Sequence, residues 1–183
     1  MPPDALLELR SAQVTTELFR DAMSRLGAPV TLVTTDGAAG RHGLTASAVT
    51  SVSDAPPTVL VCLNRTNRSH AAFLGNGVLG ISLLSGSHED LATGFASSRR
   101  STDEKFAAGT WRTDVTGAPL FDDALATLDC TIGALHAAGS HDVLFCAVQS
   151  IRIHPAGGAG LAWFDRRFHQ LPAGPGPSHI HAG

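Results

Sequence analysis

The sequence predicts a mainly β fold, an antiparallel barrel with a few helices packed outside it. Three observations predict it. Apolar and β-branched runs of strand length recur at residues 30–35, 43–53, 58–63, 78–84, 127–137 and 143–154. These runs outnumber the helical stretches. Most of them also follow one another across short turns rather than helical crossovers, which argues against a parallel α/β sheet.

Residues 1–14 read as a flexible leader, residues 15–171 as one domain, and the Pro/Gly/His-rich residues 172–183 as a disordered tail. Thr15 or Thr16 caps a helix that runs to about Arg25, with Leu18, Phe19, Ala22, Met23 and Leu26 on one face. Gly27-Ala28-Pro29 ends it, and residues 30–35 form the first strand. Residues 36–42 are a hairpin loop, 43–53 a second strand, 54–57 a turn and 58–63 a third strand. Residues 69–74 are a short helix, 78–84 the fourth strand and 88–97 a helix with Leu91 and Phe95 inward. Residues 99–116 are polar and irregular and read as a surface loop, followed by one helical turn at 120–126. Two long strands, 127–137 and 143–154, are joined by Gly139-Ser140-His141-Asp142. A Gly-rich hairpin at 155–160 leads to a final short strand within 161–171.

With 183 residues the chain suits one domain. Folding at that size buries roughly 70% of the unfolded surface, enough for a core without staples. The formal net charge of −3 carries no long run of one sign, so there is no electrostatic footprint for nucleic acid. No apolar run approaches the roughly 20 residues that span a bilayer, and the N-terminus lacks the basic and apolar regions of a secretory signal. A cytoplasmic protein is expected. Cys62, Cys130 and Cys146 lie far apart in apolar stretches, the pattern of buried free thiols.

The stretch Gly43–Ser53, GLTASAVTSVS, is unusual for a strand. Thr45, Ser47, Thr50, Ser51 and Ser53 carry hydroxyls, and Ala46 and Ala48 carry methyls. A strand that only builds a core carries larger groups on its buried face. The loop NRTNRSH, residues 64–70, lies between a strand and a helix. Backbone N–H groups there, the Ser69 hydroxyl and Arg65 or Arg68 would hold a phosphate. A self-capped loop with two solvent-facing arginines fits the same composition. In STDEKF, residues 101–106, Lys105 would meet a phosphate and the Phe106 ring would cover a flat ligand; a charged surface loop is the plainer reading.

Other motifs point away from common chemistries. Gly75-Asn76-Gly77-Val78-Leu79-Gly80 matches G-x-G-x-x-G, but a helix precedes it and a strand follows, the reverse of a dinucleotide fingerprint. No G-x-S-x-G elbow occurs, and the cysteines sit mid-strand among apolar neighbours. The histidines show no metal-ligand spacing with an acidic partner, and His179 and His181 fall in the tail.

In this order the features resemble the flavin reductase-like family, small NAD(P)H:flavin oxidoreductases that serve two-component flavin-dependent monooxygenases. The resemblance runs from about Phe19 to Leu171 and rests most on GLTASAVTSVSDAPPTVLVCLNRTNRSH. ISLLSGSHEDLATGFAS, KFAAGTW, GAPLFDDALATLDCTI, GSHDVLFCAV and LAWFDRRFHQL support it. It implies an FMN-binding type split β-barrel of antiparallel Greek-key form, a homodimer, and FMN or FAD held near the subunit interface. It implies hydride transfer from NADH, with NADPH second, and delivery of reduced flavin to a partner monooxygenase. Carried over, Thr45, Ala46 and Ser47 lie against the flavin ring with Thr50 and Ser51 adjacent, and Asn64, Arg65 and Ser69 cradle its phosphate. Lys105 and Phe106 sit near the flavin, His141 orients the nicotinamide, and Arg167 and Phe168 border it. Small side chains on the second strand then have a purpose, since they let backbone approach a flat ring. Ser140, Asp165, Arg166 and Ser82 depart from the family pattern, and the chain has no tyrosine. A non-catalytic flavin carrier or sensor on the same barrel is the alternative, and an oxidase of the pyridoxamine-phosphate type fits the stretch from Gly43 to His70 poorly.

Overall fold

A computed structural model describes residues 14–174. Residues 1–13 and 175–183, with most of the expected leader and tail and the pair His179 and His181, lie outside the described residues. The first helix, α1 (Thr16–Ser24), begins at Thr15, whose hydroxyl accepts a bond from the Leu18 amide at 3.1 Å. Its apolar stripe is present but stays exposed. Next come β1 (Ala28–Pro29), β2 (Thr31–Thr35), β3 (His42–Ala46), β4 (Val49–Asp54) and β5 (Pro57–Asn64). Then follow α2 (His70–Asn76), β6 (Val78–Leu83), α3 (Glu89–Ala96), α4 (Thr102–Phe106), β7 (Trp111–Arg112) and β8 (Leu120–Phe121). The chain closes with β9 (Ala126–Ala138), β10 (His141–Ile153), β11 (Gly160–Phe164) and β12 (Arg167–Leu171).

The main sheet has seven strands in the order β3-β2-β6-β9-β10-β5-β4, every neighbour antiparallel. Its two edges are consecutive in the chain. In a flat sheet, strand spacing would set β3 and β4 roughly 29 Å apart. The three steps from Ala46 to Val49 reach at most about 11 Å. The sheet therefore curls until its edges meet, which is the barrel. A smaller sheet of β1, β11 and β12 and a β7–β8 pair flank it.

Strand β2 runs between two cores and is buried on both faces. Val33 belongs to the barrel interior with Leu44, Val61, Leu79, Ile81 and Leu144, and Phe73 of α2 packs into the same interior. Leu32 points the other way, to Leu91, Phe95, Phe106, Phe121 and Leu161 beneath the helices. The Thr31 and Thr35 hydroxyls satisfy themselves on the carbonyls of Ala46 and Val78 at 2.8 and 2.7 Å. Cys130 and Cys146 are buried free thiols whose pKa values desolvation pushes up to about 12.

Several sequence expectations are corrected. The run at 43–53 is two strands with a bend at Ser47, because β3 pairs with β2 and β4 with β5. The loop at 99–116 contains α4, fixed by a Ser101–Glu104 capping box, and buries Lys105 and Phe106. The helical turn at 120–126 is β8 and a tight turn instead. The last strand is a hairpin, β11–β12, whose turn residues Asp165 and Arg166 have φ of 48° and 59°. The glycine motif does end a helix and begin a strand: Gly77 caps α2 with φ 66° and Gly80 lies within β6.

Candidate functional site

Two adjoining cavities open where β3 meets α3. The first, about 350 Å³, is lined by Val30, Thr45, Ala46, Ser47, Thr93, Ala96, Trp163 and Phe168. Its strand side is made of small residues, as the sequence of β3 requires. Trp163 and Phe168 are paired across the β11–β12 ladder, with rings edge-to-face and centroids 4.9 Å apart. The Thr45 hydroxyl donates to the Ala92 carbonyl at 2.5 Å and ties β3 to α3.

Thr45 and Ala96 also line the second cavity, about 410 Å³, so the two share a wall. Its other walls include Thr66, Asn67, Arg68, Ser69, Ser97, Ser98 and Lys105. Two cations and several hydroxyls converge there without a carboxylate in the lining, a donor set suited to an anion. Lys105 is only 4% exposed, and its ammonium donates to the Phe95 carbonyl at 2.8 Å. Burial lowers its pKa, and the Arg68 charge lowers it further. Arg68 is held by the Ser98 carbonyl at 3.1 Å and by the Arg100 carbonyl.

The loop at 64–69 is closed mainly by its own side chains. Asn64 Oδ1 accepts from the Thr66 amide at 2.9 Å, and Asn67 Oδ1 from the Ser69 amide at 2.9 Å. The His70 amide is taken by the Asn67 carbonyl at 2.9 Å. The expectation of free amides at this point is corrected: these three are spent in turns, and side chains face the cavity.

The structure brings together Thr45, Ala46, Ser47, Ser69, Lys105 and Phe168 among the expected site residues. Thr50 and Ser51 are exposed on β4 and line neither cavity. Asn64 and Arg65 also lie outside the lining, Asn64 engaged within its loop and Arg65 turned to Asp142 at 2.8 Å. Phe106 packs in the core against Phe95, centroids 5.2 Å apart, behind the cavity wall. Arg167 is exposed and bonded to Asp165 at 3.2 Å. His141 is half-buried at the start of β10, its Nδ1 2.9 Å from the Ser140 hydroxyl. Thr93, Ala96, Ser97 and Ser98 line the cavities without a role expected from the sequence. The capping box at 101–104 was the available signal that the segment after α3 is built rather than loose. Among the described residues no helix is long and apolar enough to cross a membrane.

Comparison with known proteins agrees with this geometry. A family model described as "Flavin reductase like domain" matches residues 23–172. An FMN reductase (NADH) RutF 1 of Methylorubrum extorquens is 49% identical over 168 residues, covering 92% of this chain and 83% of that relative. An FMN reductase (NADH) RutF of Pseudomonas syringae is 48% identical over 162 residues, covering 88% of this chain and 90% of that relative. Among solved structures, BorF, the flavin reductase component of a bacterial two-component tryptophan halogenase, superposes with TM-score 0.81 at 30% identity, covering 87% of this chain and 99% of BorF. The NADH:FAD oxidoreductase SgcE6 of Streptomyces globisporus superposes with TM-score 0.81 at 28% identity, covering 88% and 96%. With a family model over most of its length, relatives about half identical and a barrel shared with solved flavin reductases, the chain belongs to the flavin reductase-like family.

Proposed function

We propose that the chain transfers hydride from NADH to a flavin, FMN in preference, and releases reduced flavin to a separate monooxygenase. The adjacency of the two cavities, which share Thr45 and Ala96, carries this reading. The apolar slot suits a flat ring system, and the end bearing Lys105, Arg68 and Ser69 suits its phosphate. Together they fall in the size range of ligand sites. Relatives named FMN reductase (NADH) support FMN and NADH. BorF, a two-component reductase, supports the oxygenase partner.

Bound flavin supplies the hydride-accepting chemistry. The chain's own residues do the rest. Ala46 and Ser47 leave room for close backbone approach on one side. Trp163 and Phe168 exclude water on the other. Arg68 and Lys105 neutralise the phosphate. Among the described residues the linings of these two cavities carry no acid–base pair. His141 orients the nicotinamide.

A homodimer completes the proposal. Val52 on β4, Leu135 on β9 and Ile151 and Ile153 on β10 are 48%, 45%, 57% and 74% exposed, and a second copy would cover them. Thr50 and Ser51 lie on β4 beside Val52. The test is to mix the purified chain with NADH and either FMN or FAD and follow the nicotinamide absorbance. Consumption of NADH, faster with FMN, is expected. Flavin binding without consumption would identify a carrier instead, and no consumption with either flavin overturns the reductase reading.

A further inference from the structure

Asp142 carries a buried carboxylate that the mechanism above does not use. It sits at the second position of β10, with 7% of its side chain exposed. Oδ1 accepts from Arg65 Nε at 2.8 Å, and Oδ2 lies 2.8 Å from His70 Nε2, so that ring nitrogen carries the proton. Arg65 and His70 flank Thr66, Asn67, Arg68 and Ser69, the loop residues that line the cationic cavity. The Arg65 amide also donates to the Ser140 carbonyl at 3.1 Å, beside Asp142 in the chain. One carboxylate at the start of β10 therefore fastens both ends of the loop. The hydrogen bond from Arg65 comes first among the causes that hold this carboxyl below its usual range.

We propose that Asp142 is a positioning residue that sets the grip of the loop on a phosphate-bearing flavin, acting through Arg65 and His70. The proposal rests on the flavin reading above. None of the three residues lines the cavity. The charge of Arg65 is spent on Asp142, so the arginine that faces the anion is Arg68. A bare carboxylate near a phosphate would repel it; paired with Arg65 and His70, it shapes the loop without presenting its charge to the ligand.

The test compares FMN with riboflavin, which has the same ring and no phosphate, by quenching of flavin fluorescence. D142A is expected to weaken FMN about ten-fold while riboflavin affinity changes less than about two-fold. R65A is expected to do the same. The double variant D142A/R65A should bind FMN no worse than about either single variant, since the two residues act as one unit, and D142A/R68A should lose less than the product of the two effects, since Arg68 lies in the loop that Asp142 positions. Equal loss of both flavins, unchanged FMN binding, or multiplicative loss in D142A/R65A overturns the proposal. If D142A does not fold, D142N keeps the shape and one acceptor oxygen; a smaller, FMN-selective loss is expected, and its absence overturns the proposal. Failure of the unaltered chain to bind either flavin would instead remove the functional reading, and this inference with it.

Discussion

The Lys105 ammonium lies 2.8 Å from the carbonyl of Phe95, in the last turn of α3, and 3.4 Å from that of Gly43 on β3. One buried cation thus joins the negative end of a helix to the strand that floors the ligand slot. Its pKa is below the ordinary 10.5, so in the folded chain its proton leaves at a lower pH than in the unfolded chain. Two consequences follow from the sign. FMN affinity falls as pH rises toward 10.5, while riboflavin affinity stays level. Across the same window the unfolded chain holds the proton more tightly, so this group's contribution to stability increases with pH. K105M should weaken FMN about ten-fold at neutral pH and flatten the alkaline fall. Fluorescence titrations across pH check both.

Ala96 is exposed and borders both cavities. A96L should leave stability within about 0.5 kcal/mol, as surface substitutions do. It should raise the dissociation constants of FMN and riboflavin together, by about ten-fold or more, because it crowds the wall shared by ring slot and phosphate end. Denaturant melts and binding curves separate the two effects.

Gly43 is where β3 must pass close to aromatic rings. A Cβ there would lie 2.6 Å from the Phe95 ring and 3.3 Å from that of Phe106. Both rings are almost fully buried and have nowhere to go. G43A should cost about 1–3 kcal/mol, read as a lower urea midpoint at unchanged slope.

Arg166 occupies the left-handed region at φ 59° and pairs with Asp21 at 3.0 Å. Left-handed backbone costs a non-glycine residue about 1–2 kcal/mol. An exposed ion pair returns only about 0–1 kcal/mol. Strain wins, so R166G should raise the melting temperature, by thermal denaturation, despite losing the pair.

His141 lines neither cavity of its own chain. H141A should raise the KM for NADH a few-fold and lower kcat modestly, with flavin affinity unchanged. Steady-state kinetics with NADH varied at saturating FMN give the split.

Much of this architecture was legible. The apolar runs at 58–63 and 78–84 fall within a residue or so of the ends of β5 and β6, because buried strands carry little ambiguity. The small residues of β3 announced close approach to a ligand. The bend at Ser47 was hidden, since neither Gly nor Pro marks it and β-compatible residues continue across it. What splits the run is pairing with two different strands, a tertiary fact. Burial of Lys105 was hidden for a similar reason: the polar letters around it face solvent, and only its own side chain turns inward to carbonyls at Gly43 and Phe95. Arg65 and Arg68 are compositionally equivalent, and what separates them is a carboxylate 77 positions away.

Because the two edge strands are neighbours in the chain yet close opposite margins of the sheet, the ligand slot lies on the seam of the barrel. Its floor on β3 pairs only with the neighbouring β2, but its aromatic wall, Trp163 and Phe168, comes from the last hairpin of the chain, so the slot should be complete only once that hairpin has docked. Flavin capture would then report docking of the chain's final strands, and an oxygenase waiting for reduced flavin would be supplied only by chains that had reached that stage.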